Sequence, residues 1–161
     1  MFNLKKSSAF VIAFAAISFF PLAACAGEKG GNLVTESKKE VEGKELKSVK
    51  IKLHGNKGKK TLEGDYDEVE IDASGSTDLV MKGTANSVEL DVSGSADIDL
   101  SELDAETVDV NLSGSADVRV KANKSFKINA SGSGDLHLYG KGSIKRQSYT
   151  GSVKVHDKRK G

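Results

Sequence analysis

The sequence is poor in the residues that staple, break or decorate a fold. Cys25 is the only cysteine in 161 residues, so no intrachain disulfide is available. Pro21 is the only proline, and there is no tryptophan. Five of the six phenylalanines (Phe2, Phe10, Phe14, Phe19, Phe20) crowd the start, which leaves Phe126, Tyr66, Tyr139 and Tyr149 as the aromatics of everything after Cys25. Proteins that grip nucleic acid need a basic surface and stacking platforms. Neither is present: the formal net charge is +1, and without Lys5 and Lys6 the remainder has 22 basic against 23 acidic residues. Nucleic acid is thereby excluded as a partner, and a sugar site built on aromatic stacking is disfavoured.

The residues that are present open with an export signal. Lys5 and Lys6 precede an uncharged apolar run from Ala9 to Phe20, too short for a comfortable membrane span. Leu22-Ala23-Ala24-Cys25 then resembles the bacterial lipobox, whose cysteine is lipidated and becomes the first mature residue. A lone free thiol would be a liability in an oxidising compartment, which favours lipidation of Cys25 over plain secretion. The residue after Cys25 is Ala26 rather than aspartate, which by the lipobox rule points to the outer membrane. The expected organisation is a signal peptide over 1–24, a lipidated cysteine and flexible tether over 25–45, a folded domain over 46–156 and a basic, frayed tail over 157–161. The tether is rich in Gly, Lys and Glu and too poor in apolar residues to order itself, with at most a marginal helix around Glu36 to Glu42.

The folded part is built on one phrase, Ser-Gly-Ser-x-Asp, at Ser74–Asp78, Ser93–Asp97, Ser113–Asp117 and Ser131–Asp135. Its glycines Gly75, Gly94, Gly114 and Gly132 lie 19, 20 and 18 residues apart. Around each, every second residue is apolar or small, as in Val88, Leu90, Val92, Gly94, Ala96, Ile98, Leu100, while the other parity is polar. Period two sustained over such a stretch belongs to β-structure with one buried face. A meander reverses at every strand and has no reason to repeat one phrase at one phase, whereas a solenoid does. The fold expected is therefore all-β, a parallel β-solenoid of about six short coils, with Gly55 and Gly151 marking degenerate, capping coils at the two ends. In this reading the glycines sit inside tight corners where larger side chains do not fit, and the segments Lys82–Ser87, Ser101–Thr107 and Lys121–Ser125 are polar returns.

Stacking the coils makes outward columns. Asp78, Asp97, Asp117 and Asp135 form one, Asp72 and Asp91 continue into Asn111 and Asn129 in another, and serines flank the glycines between them. Like charges at strand spacing repel. The simplest account is that each aspartate accepts hydrogen bonds from corner N–H groups or serine hydroxyls. The sharper one is a calcium ladder, since carboxylates and carbonyls are hard oxygen ligands. One aspartate per coil and the lack of a double glycine favour the first, so no cofactor is expected, with calcium as the alternative. No catalytic residues and no transition-metal site are expected. His54, His137 and His156 have no metal-ligand spacing, Ser133 lacks the nucleophile-elbow frame, and Gly58-Lys59-Lys60-Thr61 lacks the first glycine of a phosphate loop.

The phrase as it stands in Val110-Asn111-Leu112-Ser113-Gly114-Ser115-Ala116-Asp117-Val118 resembles the autotransporter-adhesin head GIN domain family, over roughly Val49 to Val155. That resemblance implies a β-helical domain of a bacterial envelope protein with no established biochemical activity. The function it implies is non-enzymatic: a lipid-anchored envelope protein presenting its solenoid to a surface polysaccharide or protein ligand. The competing reading is a calcium-dependent, polysaccharide-acting envelope enzyme on a short β-helix. It is disfavoured by the lack of any long loop to build a cleft and by Arg119 being the only outward arginine within the repeats.

Overall fold

A computed structural model describes residues 33–41, 44–55 and 58–159. The signal, the lipobox and Cys25 lie outside the described residues. Four strands follow in chain order: β1 (Leu33–Val41), β2 (Lys44–His54), β3 (Lys59–Gly140) and β4 (Ser143–Asp157). They form one sheet in the order β1-β2-β3-β4. β3 is 82 residues of continuous strand. Such a strand closes its hydrogen bonds only by winding past itself, and cross-coil contacts tie residues one coil apart. Thr84 donates to Asp65 at 2.8 Å and Asn86 to Asp67 at 2.8 Å. β2 pairs in parallel with the start of β3 and β4 with its end, so the whole is a parallel β-solenoid of about six coils.

The inward residues show how a coil closes. In the third, Val88, Leu90 and Val92 are buried, then Ala96, Ile98 and Leu100, then Leu103 and Ala105. The first two runs keep one parity through Gly94. The parity slips after Leu100 and again after Ala105, so this coil has a third inward run, and Ala85 and Ala122 hold the same place in the neighbouring coils. The segments expected as polar returns are this third run. Ala85, Leu103, Ala105 and Ala122 are all buried. The single file of apolar columns that results is the core, each fully buried Leu, Ile or Val contributing about 1.5–3 kcal/mol.

The glycines correct a second expectation. They stand half-exposed or exposed on a ridge rather than inside a bend. Gly75, Gly94, Gly114, Gly132 and Gly151 all have positive φ, and a Cβ on Gly94 would lie 2.7 Å from the carbonyl oxygen and 2.8 Å from the nitrogen of Gly75. Glycine is required because the corner lets one coil's backbone rest directly on the next, along the stack and not within the ring.

Three further features differ from expectation or go beyond it. Leu33–Val41, within the stretch read as tether, is a strand lying antiparallel on β2, not a helix or coil. Its pairing partner is the otherwise open edge of the first coil, and Val34 packs against the core. Arg159, in the tail expected to fray, donates to the Gly142 carbonyl at 2.8 Å and grips Asp157, holding the Asp157 carboxyl down at about 2. Thr77 is 2% exposed, and its hydroxyl has no hydrogen-bond partner among the described residues, where the next coils carry Ala96 and Ala116. Thr77→Val keeps the shape and removes the orphan hydroxyl, so the unfolding midpoint should rise, by about 1 kcal/mol of stability. A lower midpoint would mean that the hydroxyl has a partner in solution.

Candidate functional site

The SGS corner projects a ridge of stacked glycine backbone with a serine column on each side. Two shallow grooves flank it. The first, of about 270 Å³, is lined by Asp72, Asp91, Ser93, Asn111, Ser113, Asn129 and Ser131. The second, of about 500 Å³, is lined by Ser76, Asp78, Ser95, Asp97, Ser115, Asp117 and Ser133. The alternation forces this arrangement: on a ladder of parallel coils, residues at equal phase stack about 4.8 Å apart. The structure therefore brings Asp72 and Asp91 together in one groove and Asp78, Asp97 and Asp117 in the other.

Asp135 ends its column against the last coil. Asp117 accepts a hydrogen bond from the Asp135 N–H at 3.2 Å, which is the corner chemistry expected for an outward aspartate. The Asp135 carboxylate itself faces His156 Nε2 at 3.0 Å. That bond holds the Asp135 carboxyl below its ordinary range, with Lys154 adding to the effect. His156 in turn stacks on His137, ring centroids 4.5 Å apart and 12° from parallel. This cluster was missed in the sequence because no His pair has metal spacing. The signal that finds it is register: β4 sits on β3 with Asp135 under Lys154 and His137 under His156. Among the described residues no group of three or more His, Cys, Asp or Glu is placed to hold a metal ion.

Burial pushes the His137 imidazole down, and neighbouring His156, Lys158 and Arg119 push the same way against Asp135. A group whose folded pKa is depressed stabilises the fold above its unfolded value and loses that contribution as pH falls. His137 therefore contributes fully above about pH 6.5 and progressively less below it, and Asp135 follows below about pH 4. Thermal unfolding from pH 7.5 to 5.5 should show a falling midpoint in the wild type and a flatter profile in His137→Asn. Parallel profiles would remove His137 as the cause.

Elsewhere the outward faces carry cross-coil ion pairs. Lys50 pairs with Glu70, Lys82 with Glu102 at 2.6 Å, Lys121 with Asp104 at 2.6 Å and Lys124 with Glu106 at 2.6 Å. All are partly or fully solvent-exposed and each contributes little alone.

The profile of the family described as "Putative auto-transporter adhesin, head GIN domain" matches residues 22–142. The chain belongs to the head GIN domain family. The match covers β1, β2 and the whole of β3, including all four phrases and both grooves, so the ridge is the head GIN part of the chain. β4 lies beyond it. Comparisons with curated proteins and with solved structures find no match.

Proposed function

We propose that this chain is a non-enzymatic cell-envelope lipoprotein, anchored through lipid on Cys25 in the outer membrane, whose head GIN solenoid serves adhesion or contact with envelope polymers. The observation that carries the reading is the pair of open Ser/Asp grooves repeated coil after coil along the glycine ridge. A shallow, open surface that presents hydroxyls and carboxylates at a fixed repeat suits an extended polymer, whereas small-molecule sites are concave pockets that enclose their ligand. Membership of an adhesin-named family supports the same reading and supports a cell-surface setting.

Labelling of cells with radioactive palmitate tests the anchor: the wild type should carry label in the membrane fraction, and Cys25→Ala should lose both label and membrane association. Adherence tests the grooves. Cells producing Ser95→Lys/Ser115→Lys, which fills the second groove with long cations, should adhere to polysaccharide-coated surfaces less well than cells producing wild type. Equal adherence by wild-type cells and by cells lacking the chain would end the adhesion reading. Calcium is the probe for the aspartates. Because a ligand that binds the native state must raise stability, the unfolding midpoint is expected to be the same with millimolar calcium and with chelator. A rise abolished in Asp97→Asn/Asp117→Asn would replace corner chemistry with a cation site.

A further inference from the structure

The two ends of the stack are finished differently. At the N-terminal end the outer edge of β2 is covered by β1, which runs antiparallel and breaks the parallel register. At the other end β4 is the last strand of the sheet, and among the described residues nothing pairs with its outer edge. A long unpaired edge is a template for another strand, and proteins usually blunt it. Here the inward positions of β4 also remain uncovered: Tyr149 is 38% and Val155 36% exposed, and Ile144 and Val153 are only partly buried against the core. This end therefore offers both unpaired backbone and apolar side chains.

Charge says what should cover it. β3 carries 7 basic and 17 acidic residues, whereas 143–159 carries five basic residues and only Asp157, already gripped by Arg159. Lys145, Arg146 and Lys154 are exposed on β4 itself. A second copy brought end to end through β4 would oppose two basic strands and is disfavoured by its own charge. We propose that the outer edge of β4 is a strand-addition site for an extended acidic polypeptide segment, alternating apolar residues toward Tyr149, Val153 and Val155 with carboxylates toward Arg146 and Lys154. Backbone pairing supplies the affinity and side chains the selectivity. The site is independent of the ridge grooves and stands or falls apart from them.

The test uses the full chain in mild detergent and a fluorescein-labelled peptide of the length of β1 that alternates Val and Glu. Anisotropy should show saturable binding for this peptide and none for its Val/Lys counterpart. Hydrogen exchange in the complex should slow at amides within Lys145–Val155. An N-methylated Val/Glu peptide, equal in charge but unable to donate backbone hydrogen bonds, should not bind. Arg146→Glu/Lys154→Glu should weaken binding by about tenfold or more while keeping the unfolding midpoint. The peptide controls decide the matter even if that variant fails to fold. Absence of saturable binding overturns the site. So does N-methylated peptide or dextran sulfate binding as well as the Val/Glu peptide without slowing β4 amides, which would make this end a polyanion patch.

Discussion

Gly114→Val should unfold most of the stack. Gly114 has φ +129°, beyond the left-handed well that asparagine can share, and a Cβ there would press on the carbonyl oxygen of Gly94 and lie 2.8 Å from its nitrogen. Backbone strain of about 1–3 kcal/mol adds to overpacking of about 1–3 kcal/mol, and the atoms in the way are themselves backbone, unable to swing aside. Against a typical domain stability of about 5–15 kcal/mol that is a large fraction. The control is Gly55→Asn. Gly55 has φ +60°, with nothing within 4 Å of its would-be Cβ, so that substitution should cost well under about 1 kcal/mol. Urea unfolding of both variants measures the difference. Equal midpoints would mean that the coils are not stacked glycine on glycine.

The same glycines show where sequence reasoning reaches its limit. Alternation and phrase spacing are enough for a parallel solenoid, because only stacked coils keep one phrase at one phase. Parity, however, cannot distinguish a glycine pointing into a bend from one whose missing Cβ points at the neighbouring coil. Only φ does that. The third run of each coil was illegible for a different reason. It offers one or two inward residues, often alanines such as Ala85 and Ala122, in a polar setting. The parity shifts around it differ from coil to coil: two in the third coil, one after Ala85, none around Ala122, too irregular a signal for any period to emerge. β1 was illegible because its order comes from elsewhere: a polar segment with Val34 as its packed apolar residue is a strand here because the edge of β2 satisfies its backbone. In the candidate site the columns Asp78–Asp97–Asp117 and Asp72–Asp91 were readable by stacking alone. The turn of Asp135 toward His156 was not, since it depends on which side chains the last coil brings over the column.

Phe126→Ala should split the molecule's unfolding into two steps. Phe126 is 0% exposed, the largest fully buried side chain among the described residues, and a Cβ on Gly142 would meet its ring 3.1 Å away, so the chain leaves room for it by using glycine. Deleting the ring should cost about 3–5 kcal/mol. In a solenoid each coil touches only its neighbours, so where that loss is felt depends on what the neighbours hold for themselves. Below lies Val108 in a coil with Val110, Val118 and Val120 fully or nearly buried; above lies Ile144 at the start of β4, whose apolar residues are only partly covered. β4 has little burial of its own, and Phe126 is the large buried ring directly under Ile144 at its start. Its amides, including those near His156 and Tyr149, should therefore exchange through a low-energy opening in the variant while those of Val88–Val120 keep the protection of the global step. Ile98→Ala, in the middle of the stack, should instead lower protection everywhere by about 2–5 kcal/mol, since both its neighbours depend on it. A uniform fall in both variants would show that the coils unfold as a single unit and that the last coil is coupled to the rest by more than Phe126. The backbone ladder, the Arg159 clasp onto Gly142 and the His137–His156 stack are the contacts that would then carry the coupling.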